Sequence, residues 1–523
     1  MQYLTMKFSG IFCVIINLWI VSIVDGQATT QKGFASVTGS SFPADFLFGS
    51  ASSSHQYEGG ALVDGRGPSM WDTYVQKHPE RVADRSNADI AVDSYHRYKE
   101  DVAIIKDIGF NAHRFSISWS RILPHGKLSG GVNQAGIDYY NNLINELLAK
   151  GIQPFATLFH WDIPQALEDE YMGFLNIKIV DDFRDYADLC FSKFGDRVKH
   201  WITLNEPQNY AVNGYSSTLF APARCSDHKA CGAGDSSTEP YIVTHNQILA
   251  HAAAVRIYRD KYQKTQKGQI GITLNFAWIL PYTESSKQDQ DAAFRAIVFQ
   301  YDWYMEPLKS GTYPAAMVTR VGNRLPRFST QQSWIVKGSY DFIGLNYYTA
   351  QYASDVPCPT VNHAYITDSC ASLTSVRNGV PIGYQASIWL YVYAPGIEQI
   401  LLYTKTNFND PIIYITENGI NDPIGTVTLN DNIRIDFINN HLVYIQKAIA
   451  SGVKVKGYFA WSLLDNWEWS FGFSARFGVV SVDHNNGLKR TYKNSAWRFK
   501  EFLQTRTHPI PATATDHDVK IDL

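Results

Sequence analysis

Residues 137–159, IDYYNNLINELLAKGIQPFATLF, contain the pattern that decides the fold. Four apolar residues recur there with the spacing of one helix face: Tyr140, Leu143, Ile144 and Leu147. Gly151 follows at the position where a left-handed residue commonly ends a helix. A short run rich in β-forming side chains begins at once, and the same order of helix, glycine and strand returns around Gly452. This order is the αβ half of a βαβ unit, which builds parallel sheets.

Eight short apolar runs of this kind are spread along the chain. They occupy residues 46–52, 112–118, 153–159, 200–206, 269–275, 341–348, 411–419 and 455–465. Helix-bearing segments separate them, so the sequence predicts an α/β fold, a single (β/α)8 TIM barrel with extended loops at the C-terminal face of the strands. The chain of 523 residues is long enough for such a barrel, and its hydrophobic fraction of 45% is ordinary for a globular enzyme.

Polar residues gather where the predicted strands end. His160 follows the third run, Asn205 and Glu206 end the fourth, Asn346 lies in the sixth, and Glu417 lies near the end of the seventh. In a TIM barrel the carboxyl ends of all eight strands meet on one face, where active sites lie. Ordinary surface loops would scatter polar residues more evenly. The sequence therefore predicts an active site on this face.

Glu206 and Glu417 lie roughly across the predicted barrel from each other. Glycoside hydrolysis needs such a pair of carboxyl groups: one protonates the leaving oxygen, and the other attacks the anomeric carbon or activates water. Either glutamate alone would be interpreted as a solvated loop residue or a helix cap. The pair at two strand ends instead indicates a glycosidase.

Several segments are similar to one known family. TLNEP at 203–207 and YITENG at 414–419 resemble the two signature motifs of glycoside hydrolase family 1, and residues 46–59 resemble its N-terminal signature. Further similar segments are RFSISWSRILP, LFHWDIPQAL, DFIGLNYYT and YFAWSLLDNWEW. The resemblance covers 44–505 and is strongest to the secreted plant β-glucosidases. It implies a retaining β-glucosidase that hydrolyses a small plant β-D-glucoside through a covalent glycosyl-enzyme, with no cofactor and no metal.

The resemblance also implies roles for individual residues. Glu206 would be the general acid and then the general base, and Glu417 would be the nucleophile, with the two carboxyl groups about 5 Å apart. Arg114 and Asn346 would support the pair, and Arg114 with Tyr348 would hold Glu417 ionised. The implied substrate-binding residues are Gln56, His160, Asn205, Tyr348, Trp389, Trp461, Glu468, Trp469 and Phe477. Trp389 matches the position that lines the aglycone side in this family.

Two other functions remain open at this point. A transglycosylase, or a hydrolase of a non-glycosidic small molecule, would use the same site and the same covalent intermediate. A sugar-binding or scaffold protein is disfavoured because both carboxylates, the arginine and the sugar pocket are retained. Gln208, Met172 and Ala394 depart from the family pattern near the loops that shape the aglycone entrance. These departures leave the choice of aglycone undetermined.

The N-terminus carries an apolar run at 11–24, preceded by Lys7 and followed by small residues near Gly26. This pattern predicts a signal peptide over 1–26, since the run is short for a membrane span; an uncleaved anchor is the alternative. We expect a flexible segment over 27–43, a catalytic domain over 44–505 and a weakly structured tail over 506–523. The mature protein would then enter the secretory pathway, without membrane association, and reach the cell exterior, the cell wall or the vacuole.

The six cysteines fit an oxidising compartment. Cys13 lies in the signal segment, and Cys190 lies in a helical stretch as a buried free thiol. Cys225 and Cys231 share one polar loop, and Cys358 and Cys370 bracket another, so two local disulfides are the natural pairs. The resemblance supports the pair Cys225–Cys231, and pairing of Cys358 with Cys370 is left open. The spacing gives no support for a zinc site.

The net charge of −3 offers no basic face for nucleic acid. The family resemblance implies a small-molecule glycoside as the partner, and the sequence leaves open a homo-oligomer.

Overall fold

The structure, a computed structural model, describes residues 37–507. Eight parallel strands close into a barrel in which each strand pairs with the next and β8 returns to β1. They are β1 Leu47–Ala51, β2 Ala112–Ser116, β3 Gln153–Phe159, β4 His200–Asn205, β5 Gln269–Pro281, β6 Phe342–Asp355, β7 Ile413–Asn418 and β8 Val455–Ala460. The predicted (β/α)8 TIM barrel is thereby confirmed. Six of the observed strands lie within the predicted runs, and β5 and β6 begin within theirs and extend beyond them.

A helix follows each strand and packs outside the barrel. These helices are α1 Ser94–Ile108, α2 Gln134–Ala149, α3 Ile179–Phe194, α4 Glu239–Ile257, α5 Lys287–Ile297, α6 Pro395–Asn407, α7 Asn432–Ala450 and α8 Asn494–Thr507. A π-helical turn, Val298–Asp302, continues α5 into a further helix, Trp303–Ser310. The apolar face predicted at 137–150 is the buried face of α2.

The strands are buried on both faces, as expected for a parallel sheet that helices cover. Every residue of β2 and β7 is buried, which explains why neither strand alternates between buried and exposed positions. Gly344 in β6 is needed for close approach, since a Cβ there would lie 2.2 Å from Thr273 Oγ1. The barrel interior beneath the strand ends is therefore tightly packed and gives the side chains above it a rigid base.

Additional structure lies in the connections between strands and helices. Strands β5 and β6 extend beyond the barrel, and the end of β6 pairs with the antiparallel strand Ala371–Thr374. Two short hairpins, Val376–Arg377 with Val380–Pro381 and Val480–Asp483 with Lys489–Tyr492, also lie in connections. Short helices in the remaining connections are Ser54–Tyr57, Met70–Lys77, Trp119–Ile122, Gln165–Tyr171, Pro207–Tyr215, His228–Cys231, Lys264–Gln266, Ala315–Val321, Thr330–Val336 and Tyr365–Asp368.

The packed body extends past the predicted domain bounds of 44 and 505. Phe42 is buried against Phe502 of α8, and Gly39 N donates a hydrogen bond of 2.7 Å to Thr505 Oγ1. The part of the predicted flexible segment after residue 36 is therefore ordered by contacts with the other terminus, a long-range effect that local composition does not reveal. The predicted signal peptide and nearly all of the predicted C-terminal tail lie outside the described residues.

Two disulfides connect Cys225 with Cys231 and Cys358 with Cys370. The second settles the pairing that the sequence left open. Cys190 is a buried free thiol, as predicted, and burial raises its pKa far above the ordinary thiol value. Within residues 37–507, no helix has the length and apolar character needed to cross a bilayer.

Candidate active site

The carboxyl ends of the strands bring the two predicted glutamates into one buried site. Glu417 lies in β7 directly beside Asn346 of β6 in the strand register. Glu206 follows β4 and begins the helix Pro207–Tyr215. Both glutamates are about 5% exposed or less. Strand order alone thus positions carboxyl groups that are separated by more than two hundred residues of chain.

Glu417 is paired with a cation and a hydroxyl. Arg114 Nη1 donates to Glu417 Oε1, and the Tyr348 hydroxyl donates to Oε2 at 2.7 Å. The guanidinium is held in place because its Nε donates to Thr157 Oγ1 at 3.2 Å and its Nη2 to Asn205 Oδ1 at 2.5 Å. Arg114 is itself fully buried, so this ion pair operates with little solvent screening.

Glu206 has a different environment, made of neutral amides. Asn346 Nδ2 donates to its Oε1 at 2.7 Å, and Asn209 Nδ2 donates to its Oε2 at 2.7 Å. Burial raises the pKa of Glu206 to about 8, and the nearby negative charge of Glu417 adds to the rise. Such a carboxyl group is protonated at neutral pH and can act as a proton donor.

The expectation that Arg114 and Tyr348 hold Glu417 ionised is met only in part. Burial raises the pKa of Glu417 as well, while the Arg114 charge and the Tyr348 hydroxyl lower it. Desolvation outweighs the two partners, so the pKa of this carboxyl group stays above its ordinary value. Because Glu417 bonds directly to a cation and Glu206 bonds only to amides, a single negative charge shared by the pair resides on Glu417.

Backbone conformations around the site are unusual. Trp161, Glu206 and Trp469 adopt positive φ angles of 74°, 43° and 53°, in the region that favours glycine. Residues held in this region cost free energy and concentrate at functional sites. All three residues lie where a strand or loop turns to aim a side chain at the site.

Gln56 and Glu468 form a polar pair at one side of the site. Gln56 Nε2 lies 3.1 Å from Glu468 Oε2 and 2.9 Å from Asn466 Oδ1, and Trp461 Nε1 donates to Glu468 Oε1 at 3.1 Å. Ser53 Oγ donates to Gln56 Oε1 at 2.7 Å and fixes the orientation of the amide. Burial raises the pKa of Glu468 to about 8. The pair offers adjacent donors and acceptors to vicinal hydroxyl groups.

His160 packs near two indole rings. Its ring stacks near Trp461 and Trp469, at centroid distances of 6.0 and 6.1 Å. Asn205 Nδ2, an amide donor, lies 3.0 Å from His160 Nε2, so the ring proton is assigned to Nδ1. His160 Nδ1 is buried and has no hydrogen-bond partner within the described part of the chain. Burial holds the pKa of His160 well below 6.5, so the ring is neutral and presents an N–H donor.

Phe477 and Trp389 flank Tyr348 on the outer side. Their rings meet Tyr348 nearly edge-on, at 6.1 and 5.7 Å between centroids. Phe477 is buried, whereas Trp389 is 39% exposed and marks the rim of the cleft. All sequence-predicted site residues are thus connected through direct contacts, with Trp389 outermost.

The structure adds residues that the sequence did not single out. Asn209 bonds to Glu206, Asn466 bonds to Gln56, and the Trp161 indole donates to the Asn205 carbonyl at 2.9 Å. An asparagine carries little sequence signal, although the spacing of three residues between Glu206 and Asn209 in a helix places both on one face. Trp161 stood beside a predicted residue and was not assigned a role.

A buried ionic cluster supports the loop that carries Glu468. Lys493 Nζ, with no exposed side-chain area, bonds to Asp465 Oδ1 at 2.8 Å and to Asp422 Oδ2 at 2.7 Å. Arg434 also bonds to Asp422, at 2.6 Å. These bonds connect the loop after β7, which holds Asp422, with the loop after β8, which holds Trp461, Glu468 and Trp469. Residues 37–507 contain no group of His, Cys, Asp and Glu side chains that could hold a metal ion.

Known proteins resemble this chain along nearly its whole length. Beta-glucosidase 13 of Arabidopsis thaliana is 58% identical over 500 residues, covering 95% of this chain and 98% of the relative. Beta-glucosidase 12 of Oryza sativa subsp. indica is 56% identical over 499 residues, covering 94% and 98%. A mutant of rice Os3BGlu6 beta-glucosidase, in a covalent complex with Glc from GA4GE, has a TM-score of 0.87 at 49% identity, covering 89% of this chain and 99% of its own.

The profile of glycosyl hydrolase family 1 matches residues 38–508, a range that includes all eight barrel strands and both glutamates. On the strength of this match and of relatives more than half identical, the chain belongs to glycosyl hydrolase family 1.

Proposed function

We propose that this protein is a β-glucosidase that hydrolyses the β-glycosidic bond of a small glucoside with retention of configuration. The observation that carries the proposal is the unequal pair of buried carboxyl groups, one bonded to a cation and the other to two amides. Retaining glycosidases need one carboxylate that is ionised and one that is protonated. The names of the plant relatives support β-glucosidase activity.

In the first step, Glu417 attacks the anomeric carbon and forms a covalent glycosyl-enzyme. Glu206 transfers its proton to the glycosidic oxygen as the carbon–oxygen bond breaks, so the aglycone leaves as a neutral alcohol. Arg114 and Tyr348 orient the Glu417 carboxylate for this attack through their hydrogen bonds. The rice relative solved in a covalent complex with Glc supports this intermediate.

In the second step, Glu206 is ionised and removes a proton from water. The water oxygen then attacks the anomeric carbon, and Glu417 is released with its negative charge. Two inversions at one carbon restore the β configuration. Asn205 is positioned to contact the sugar beside Glu206, because Arg114 and His160 hold both ends of its amide.

The sugar pocket is proposed to hold one glucose residue. Gln56, Glu468 and His160 supply buried polar groups for its hydroxyls, and Trp461 and Trp469 supply flat apolar faces. A buried polar group left unpaired is costly, so such a pocket discriminates against sugars that lack the matching hydroxyl. Trp389, half-exposed at the rim, is proposed to contact the aglycone.

We also propose that the protein is made in the secretory pathway. The apolar N-terminal run with its basic flank supports this location, as do the two disulfides. The choice among apoplast, cell wall and vacuole, and the formation of a homo-oligomer, stay predictions.

A mechanism-based inactivator tests the proposal. A 2-deoxy-2-fluoro-β-glucoside with a good leaving group forms the glycosyl-enzyme but slows its hydrolysis, so one sugar accumulates on the nucleophile. We expect peptide mass spectrometry to find the label on Glu417, and expect the matched variant Glu417→Gln to remain unlabelled. A label on another residue, or undiminished turnover without any label, would contradict the proposal. Product analysis with an added alcohol then separates hydrolysis from glycosyl transfer.

A further inference from the structure

Asn209 bonds to Glu206, the proposed acid/base glutamate. Its Nδ2 donates to Glu206 Oε2 at 2.7 Å, and its side chain is half-buried, whereas the other amide partner, Asn346, is fully buried. Glu206 has a left-handed backbone at the start of the helix Pro207–Tyr215, and Asn209 lies in the first turn of that helix. This geometry brings the Asn209 side chain back toward the residue that precedes the helix.

The two amides that bond to Glu206 are not equally restrained by other hydrogen bonds. Asn346 Oδ1 accepts a hydrogen bond of 2.8 Å from Thr416 Oγ1, and Asn346 Nδ2 also reaches Asn205 Oδ1 at 3.2 Å. The Asn346 amide is therefore fixed on both sides and occupies Glu206 Oε1. Within residues 37–507, the Asn209 side chain makes one hydrogen bond, the one to Glu206 Oε2. Oε2 is thus the oxygen whose partner can adjust when a substrate enters.

We propose that Asn209 is a positioning residue that fixes the orientation of the Glu206 carboxyl group and stabilises its ionised form. This inference rests on the proposed role of Glu206 as acid and base. As the glycosidic bond breaks, the proton passes from Glu206 to the leaving oxygen, and the negative charge that remains on Glu206 strengthens the bond from Asn209. A hydrogen bond to a charged acceptor is stronger than one to a neutral acceptor.

Other groups also act on the charge of Glu206. Glu417 from β7 raises its pKa, Arg114 from β2 lowers it, and the Tyr348 hydroxyl from β6 is close enough to interact with it. Asn209 and Asn346 both favour the ionised form through their hydrogen bonds. A substitution at Asn209 leaves the other four groups in place, so a change in the titration of Glu206 reports on the Asn209 amide.

The test measures the pH dependence of kcat/KM for Asn209→Leu, which removes the amide and keeps a similar volume. The basic limb of the profile reports loss of the proton from Glu206 in the free enzyme. Without the donor, the ionised form is less stable and the pKa rises, so we expect this limb to move to higher pH by about 0.5 to 1 unit. With an activated aryl glucoside, whose turnover is limited by the second step, we expect kcat to fall by roughly 10-fold.

Matched variants separate this role from general damage to the helix. Asn213→Leu alters a half-buried asparagine one turn further along the same helix, away from Glu206, and we expect the wild-type profile. Asn209→Thr retains a hydroxyl donor, and we expect its basic limb to lie between those of the wild type and Asn209→Leu. If Asn209→Leu does not fold, Asn209→Asp takes its place, because aspartate has nearly the same shape as asparagine. Its negative charge should move the basic limb to still higher pH.

An unchanged basic limb in Asn209→Leu, or in Asn209→Asp if the leucine variant does not fold, would overturn the inference. A shift of the same size in Asn213→Leu would also overturn it. Inactivation by the 2-fluoro glucoside separates this failure from failure of the proposed function. If Glu417 is labelled normally but the basic limb of the Asn209 variant lies at the wild-type pH, only the role of Asn209 is rejected. Labelling elsewhere in the wild type rejects the catalytic assignment on which that role rests.

Discussion

The inner half of the site and its rim are built by different means. In the inner half, Gln56, Glu417 and Glu468 are at most 7% exposed, and each is bonded to at least two other groups. At the rim, Trp389 is 39% exposed and its neighbour Ile388 is 78% exposed. The inner groups are fixed by hydrogen bonds, whereas the rim side chains are large apolar surfaces with solvent on one side.

This difference has an energetic consequence for specificity. A pocket of buried polar groups rejects a ligand that leaves one of them unpaired, by factors of about 10⁴ in favourable cases. An apolar surface discriminates less, because one methylene changes the free energy of binding by about 1 to 3 kcal/mol. We therefore expect the inner half to select strictly for one sugar. We expect the rim to cause only small differences in kcat/KM between aglycones. Three substitutions would break or sharpen this contrast.

The largest effect is expected at the centre of the inner half. Glu417→Gly removes the nucleophile, and we expect kcat on an aryl β-glucoside to fall by roughly 10⁴- to 10⁶-fold. Added azide can enter the vacated space and attack an activated β-glucoside directly, which gives the α-glucosyl azide by a single inversion. Steady-state kinetics and NMR of the product measure both results. Turnover near the wild-type rate, or a β-azide product, would be incompatible with the mechanism.

A smaller loss is expected at the sugar-binding side of the inner half. Gln56→Leu removes the amide that bonds to Glu468 and Asn466, and we expect kcat/KM for an aryl glucoside to fall by about 10- to 100-fold. The same variant should lose less on a deoxy-glucoside that lacks the hydroxyl bound by this pair. Kinetics on 3-, 4- and 6-deoxy substrates measure this difference. An equal loss on every substrate would show that Gln56 supports only the fold.

The smallest and most selective effect is expected at the rim. Trp389→Ala removes an aromatic surface, and we expect kcat/KM to fall by about 2- to 10-fold for glucosides with an aromatic aglycone. For methyl glucoside we expect little change. Trp497→Ala is the matched control, since Trp497 is half-exposed on α8 and packs with Tyr492 of the C-terminal hairpin. An equal loss of kcat/KM for all aglycones would show that Trp389 acts on the sugar, as the inner-half residues do, and not on the aglycone.

Much of the fold follows from local patterns. The observed β3 occupies the same residues as the predicted run, and β2, β4 and β7 lie within theirs. Strands β5 and β6 are longer than predicted, because beyond the barrel they continue to pair with each other and β6 adds a short antiparallel partner. Pairing partners distant in sequence therefore extend a strand where side-chain alternation gives no signal.

Much of the site is also visible in the sequence, because strand ends are recognisable and a barrel brings them to one face. Glu206, Glu417, Asn205 and His160 are brought together as that logic implies, and Arg114 and Gln56 join them as the resemblance implied. Asn209 and Lys493 were missed for a physical reason. An isolated amide or lysine has no periodicity, and its importance depends on burial and on partners that the folded chain supplies.

The amino-acid order was sufficient to predict eight strands, their parallel arrangement and two glutamates at the carboxyl ends of two different strands, because periodicity and turn residues act over short distances. The resemblance implied which glutamate carries the proton, but no local pattern in the sequence supplies the physical cause of that assignment. That assignment depends on Arg114, which meets Glu417 across 303 positions of sequence, and on the exclusion of water from both carboxyl groups. Charge, desolvation and hydrogen bonding act through space, so they take their values from the folded structure.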